Sequence, residues 1–226
     1  MYPYKLLERV DHPNGRRYIV GESTALPSVT TILSKTKDMS FLNEWRAAVG
    51  EQEATRITTE SSGLGNSMHK LLEDYILGKE MKGQFMAMTL AKLIIKKGLT
   101  KVTEVWGTEV MLYSTELYAG TTDLVGLHEG IPAIMDFKNS RQDKKKEMIE
   151  DYRAQLAAYA LAHNEMYGTD IKKGVIMMAT RAGKYQEFIF EGQEFNECVN
   201  LWLVALDKYY KLCRDDKKPL LSSPAI

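Results

Sequence analysis

Residues 120–140 read GTTDLVGLHEGIPAIMDFKNS and place two acids and a lysine on short apolar runs. Asp136 comes thirteen positions after Asp123, and Lys138 two after Asp136. Acids on apolar strands are costly unless they are paired or hydrogen-bonded. Side chains alternate along a strand, so Asp136 and Lys138 share a face, as do Thr121, Asp123 and Val125. A tight turn at Glu129-Gly130 would close a hairpin that carries Asp123 towards Asp136. Two carboxylates in one place repel, and a divalent cation relieves them. Oxygen ligation with open positions suits Mg²⁺ or Mn²⁺. A lysine beside such an ion can orient a water and counter charge on a phosphate oxygen. On these residues alone, solvent-facing charges on an edge hairpin remain the plain alternative.

Further residues could join them. In GLGNSMHKLLEDY, His69 and Glu73 lie one helical turn apart and point the same way. In YRAQLAAYA, the spacing of Tyr152, Gln155 and Tyr159 makes one stripe on a helix. The Gln155 amide both donates and accepts, which suits it to orient a carboxylate, a lysine or a water. Arg153 and Tyr152 are candidates to contact a phosphate or a base. Ser28, Thr30 and Thr31 fall at a predicted helix start, a natural phosphate site, although capping alone explains Ser28 equally well. Trp45 could stack on a base, with packing of its helix as the simpler role. The lysine-rich segments 92–101 and 140–148 could hold a strand or simply be solvated.

These residues need elements to position them. Asn14-Gly15 reads as a hairpin turn, followed by a short helix capped by Ser28. Residues 40–61 read as a longer helix broken by Gly63 and Gly65. A helix carrying His69 follows and stops at Gly78, and another covers 82–96. Three strand-like runs then hold Glu109, Asp123 and Asp136. A long helix over 145–166, two strands turned at Ala182-Gly183 and a terminal helix complete the chain. The expected fold class is α/β with a mixed sheet. The expected organisation is a single domain over 1–226, with an N-terminal hairpin and helices at 1–65 and a catalytic core with C-terminal helix at 66–226.

The ordered set of a helical histidine, GTTDLVG, DFKNS and QLAAY closely resembles the RecB-like branch of the PD-(D/E)XK nuclease superfamily. The resemblance runs from about Ser28 to Thr180. PSVTTIL, and Trp45-Arg46 ahead of GxxxH, are similar in particular to mitochondrial genome-maintenance and bacteriophage exonucleases. The resemblance implies that superfamily's core and a Mg²⁺- or Mn²⁺-dependent deoxyribonuclease. It implies Asp123, Asp136 and the Phe137 carbonyl as metal ligands, His69 as a further ligand or a water-orienting group, and Lys138 as the residue that positions or activates water. Gln155 and Tyr159 would match the family's Q-x-x-x-Y element, supporting the site and contacting DNA. Glu109 often has an acidic counterpart in relatives, with an exposed strand glutamate as the alternative. A single-strand-binding or recombination protein is the kind of partner such an enzyme would have. Asn139 stands where many relatives have threonine. A restriction-like endonuclease, a binding module that has lost catalysis, and a two-carboxylate glycosidase are the competing readings. The adjacent lysine and the lack of an aromatic-rich cleft disfavour the last.

The bulk composition bounds the rest. Lys+Arg and Asp+Glu balance at 30 each, so the net charge neither suggests nucleic acid nor excludes a local basic groove. Cys198 and Cys213 are the only cysteines, which rules out a four-cysteine zinc or iron–sulfur site within this sequence. No run reaches a membrane span of about 20 apolar residues, and the N-terminus has no signal-peptide core. The expectation is a protein of the cytoplasm of a bacterium or phage-infected cell, with an organelle as the alternative.

Overall fold

A five-stranded mixed sheet carries the acids of the opening motif. Its order is β4 (Val102–Ser114), β5 (Tyr118–His128), β6 (Ile131–Ser140), β7 (Lys173–Thr180), β8 (Tyr185–Glu191). The computed structural model of the chain describes residues 2–21 and 24–215. Neighbouring strands are antiparallel except β6 and β7, which are parallel. A parallel pair needs a crossover, and helix α5 (Glu150–Tyr167) supplies it. The tip of the β5–β6 hairpin is Glu129-Gly130, with φ of 52° and 79°. Both residues sit in the left-handed region that short hairpin turns use.

The sheet is buried on both faces. Val125, Ile134, Ile176 and Met178 pack beneath α5 and α6 (Gln193–Asp215), around Trp202. Their strand neighbours Leu124, Met135, Val175 and Met177 face the opposite way. They pack against α3 (Glu51–Ile76) and α4 (Phe85–Lys97). Strict alternation therefore builds a helix–sheet–helix sandwich, and β7 is buried along its whole length. A second sheet joins β1 (Glu8–His12), β2 (Gly15–Val20) and β3 (Thr24–Pro27). It meets β5 through Tyr18, Leu26 and Ala119 and through a bridge between Ser28 and Ala119. α1 (Val29–Thr36) and α2 (Ser40–Val49) follow it.

Several expectations need correction. Gly63 and Gly65 do not end a helix, because α3 runs through both, and the break falls at Gly50 with φ of 87°. Each glycine costs a helix interior about 1 kcal/mol. Burial of Met68, Leu71 and Leu72 outweighs that cost. The proposed subdivision at residue 65 consequently falls inside α3. The first hairpin turns at Pro13-Asn14, one position earlier than read, and β3 had no sequence reading. Among the described residues, no helix is long and apolar enough to cross a membrane.

Candidate active site

Asp123 and Asp136 meet where β5 and β6 part. The ladder ends at Leu124 opposite Met135, and one further step sets the two acids across from each other. There a side chain replaces the backbone pairing: Phe137 donates its N–H to Asp123 Oδ2 at 2.7 Å. In extended backbone the Phe137 carbonyl points to the same side as its N–H. Asp123 Oδ1 lies 3.3 Å from His69 Nδ1, on α3. Asp136, only 1% exposed, forms an ion pair with Lys138. The Lys138 ammonium also lies 4.9 Å from the centre of the Tyr152 ring.

The two acids therefore differ in how readily they ionise. Burial raises both. For Asp123, His69, Lys138 and the Phe137 amide outweigh burial and hold the carboxyl below its usual range. For Asp136, burial wins, helped by Asp123 and opposed by Lys138, and the carboxyl is pushed up to about 6. Burial works against the cationic forms of His69 and Lys138, but the carboxylates beside them prevail and raise both.

Glu109 joins this group from β4. It lies between the pairs Thr108–Leu124 and Val110–Thr122, across from Asp123. Its φ is 50°, a left-handed conformation inside a strand. Such strain costs about 1–3 kcal/mol and concentrates at functional sites. Burial, then the charge of Asp123, pushes the Glu109 carboxyl up to about 7. His69, Glu109 and Asp123 can each present one ligand atom within 4.8 Å of the others, a group that could hold a metal ion. Burial is the larger cause of the raised values of Glu109 and Asp136 and the charge of Asp123 adds to it, and a cation among these carboxyls would favour their ionised forms. The donors are one imidazole nitrogen and carboxylate oxygens, a set compatible with Mn²⁺ or another hard-to-borderline divalent ion.

A cavity of about 710 Å³ opens over these residues. His69, Glu109, Asp123, Asp136 and Lys138 all line it, and so do Gln155 and Tyr159. Gln155 Nε2 donates to the Tyr159 hydroxyl at 3.2 Å. The Tyr159 ring packs on Gly120, where a Cβ would lie 2.7 Å from Cε1. The glycine of GTTD is thus explained by a ring that needs its space. Ser28 and Thr30 also reach the cavity wall. The Ser28 hydroxyl caps α1, accepting from the Thr31 N–H at 3.0 Å and donating to Thr31 Oγ1 at 2.8 Å.

Other expectations land elsewhere. Tyr152 backs Lys138 from outside the cavity. Arg153 turns to α6, 3.0 Å from Glu197 and stacked over Phe190, so its expected contact with nucleic acid does not fit this placement. Successive helical residues diverge by about 100°, which takes Arg153 off the Tyr152–Gln155–Tyr159 stripe. Trp45 is half-buried on α2. In the segment 92–101, Lys101 pairs with Glu187 instead of any residue of the cavity. Glu73 reaches the cavity but is held by Lys70 at 3.0 Å. Sequence reading missed Arg9 and Arg16 on the β1–β2 hairpin, which line the cavity's rim. The only available signal was their place beside a predicted turn. Tyr18 was also missed; its hydroxyl lies 3.0 Å from Thr121 Oγ1.

No family model matches the chain, and no curated protein sequence matches it. Among solved structures, it is similar to the crystal structure of a protein designated SSO0001. The two share 16% identity at a TM-score of 0.41, over 84% of this chain and 78% of that one. It is also similar to a protein from Eubacterium rectale provisionally described as an exonuclease. Here identity is 12% and the TM-score 0.40, over 89% of this chain and 85% of that one. Likenesses this distant do not bear on activity.

Proposed function

We propose that the chain is a metal-dependent deoxyribonuclease with a PD-(D/E)XK-type centre of the RecB-like branch, acting as an exonuclease. The observation that carries the reading is the junction of β5 and β6. There one ionised acid is fixed by His69 and the Phe137 amide, and a second is paired with Lys138, inside one cavity. Asp123, Glu109 and His69, with Asp136 and the Phe137 carbonyl alongside, would hold Mg²⁺ or Mn²⁺. The ion, when bound, supplies Lewis-acid stabilisation of charge on a phosphate.

The chain's own residues do the rest. Asp136 keeps Lys138 charged and fixed in place, so the ammonium can orient a water and offset charge growing on a phosphate oxygen. Gln155 and Tyr159 line the same cavity and limit where a backbone can lie. Arg9 and Arg16 add positive charge at the mouth, where incoming phosphates meet it first.

The test is degradation of linear and circular single-stranded DNA with Mg²⁺ or Mn²⁺. An exonuclease degrades the linear form and leaves the circle intact. Cleavage of the circle would favour the restriction-like alternative, and no cleavage of either would refute hydrolysis of single strands.

A further inference from the structure

A second cavity of about 380 Å³ lies beyond Tyr152. Arg141, Lys144 and Arg181 line it, together with Tyr152 and Ser140, and no acid does. The loop after β6 is arranged to give this result. Asp143 is drawn off by Lys184 at 2.9 Å, and Lys146 is taken by Glu194 at 2.5 Å. Gln186 clamps the Lys144 backbone from both sides, accepting its N–H at 2.8 Å and donating to its carbonyl at 3.0 Å. Arg181 is braced against α3 by Glu60 at 2.7 Å and by Ser61 at 3.3 Å. Its N–H donates to the Ser140 carbonyl at 2.9 Å. Among the described residues, Arg141 and Lys144 form no ion pair.

We infer that this cavity is a phosphate subsite for a single nucleic-acid strand, holding its backbone a nucleotide or two from the scissile bond. The inference rests on reading the acidic cavity as a phosphodiester hydrolase. Ser140 is two residues past Lys138 on β6, roughly 7 Å along the strand. That is the scale of one nucleotide step on an extended strand. Tyr152 touches both regions: Lys138 lies over its ring, and it lines the second cavity. Cations beside an aromatic face are the combination that binds single strands without regard to sequence.

The experiment compares wild type with Arg141→Ala/Lys144→Ala on a fluorescein-labelled single-stranded oligonucleotide of about twelve nucleotides. Binding is measured in EDTA across a salt series, and hydrolysis in Mn²⁺. The expected result is a Kd raised about tenfold and a salt slope shallower by about 1.4, two phosphates' worth. KM should rise with kcat and Tm unchanged, and Arg141→Lys/Lys144→Arg should restore the slope. An unchanged Kd and slope would overturn the subsite. Absence of hydrolysis by the wild type would sink the catalytic reading alone, because binding in EDTA still decides the subsite.

Discussion

Asp123 and Asp136 share a cavity, but only Asp123 is held below the usual carboxylate range, and this governs what substitutions should do. Asp136 and Lys138 are a largely buried pair. Removing either partner strands the other, which can cost about 3–5 kcal/mol. Asp136→Ala and Lys138→Ala are therefore expected to lower stability as well as activity. Asp136→Asn/Lys138→Met keeps the volume without the charges. It should retain a cooperative melt while hydrolysis falls at least about 10²-fold. Glu109 should behave in the opposite sense. Its folded carboxyl sits near 7, above its ordinary 4.5, so its ionised form opposes folding at higher pH. Glu109→Gln is expected to gain about 1–2 kcal/mol at pH 8, while losing part of the Tm rise that Mn²⁺ gives the wild type. A melt with and without Mn²⁺ checks both. The acids of the two motifs and Lys138 were legible because strand alternation and a two-residue turn leave little freedom. The place of Glu109 in the site was not, since a left-handed φ inside a strand has no signature in a non-glycine residue.

At the scale of elements, the glycines separate what sequence can and cannot tell. Gly130 was readable as a turn because its conformation is local. Gly63 and Gly65 were misread as breakers because tertiary packing holds α3 together over 26 residues. A methyl group added at Gly63 would meet nothing within 4 Å, so Gly63→Ala should stabilise α3 by about 0.5–1 kcal/mol, readable as a raised Tm. Gly120 is the contrary case. An alanine there would collide with the Tyr159 ring, and overpacking of this kind costs about 1–3 kcal/mol. Gly120→Ala should displace Tyr159 from Gln155 and raise KM for DNA. Unaltered kinetics would show that the wall formed by Tyr159 is not used. The rim arginines lie on β1 and β2 and Arg181 follows β7, so only the lysine-rich segment 140–148 of these was visible in the sequence; its assembly with Arg181 is long-range.

Across the whole molecule, a buried histidine outside the cavity works against stability at acid pH. His163 is enclosed by Tyr2, Tyr4, Trp106 and Tyr167, and burial holds it down to about 4. Its ring nitrogens lie 3.0 Å from the Tyr4 hydroxyl and 2.8 Å from Thr169 Oγ1. As pH falls below 6.5 the unfolded chain takes up this proton and the folded chain does not. The His163 contribution to stability should therefore decline from about pH 6.5 down to about 4, against the opposite trend of Glu109 and Asp136, and urea titrations of His163→Gln should show that contribution removed. The fold class was legible because the order of helices and strands leaves few ways to bury a sheet on both faces. The central claim is that the cavity at the β5–β6 junction hydrolyses DNA with a divalent ion. Timed degradation of labelled linear single-stranded DNA tests it most directly, using wild type and Asp136→Asn/Lys138→Met in Mn²⁺, Mg²⁺ and EDTA. Loss of full-length strand is expected only with wild type and metal. Degradation that persists in EDTA, or survives undiminished in the double variant, would contradict it.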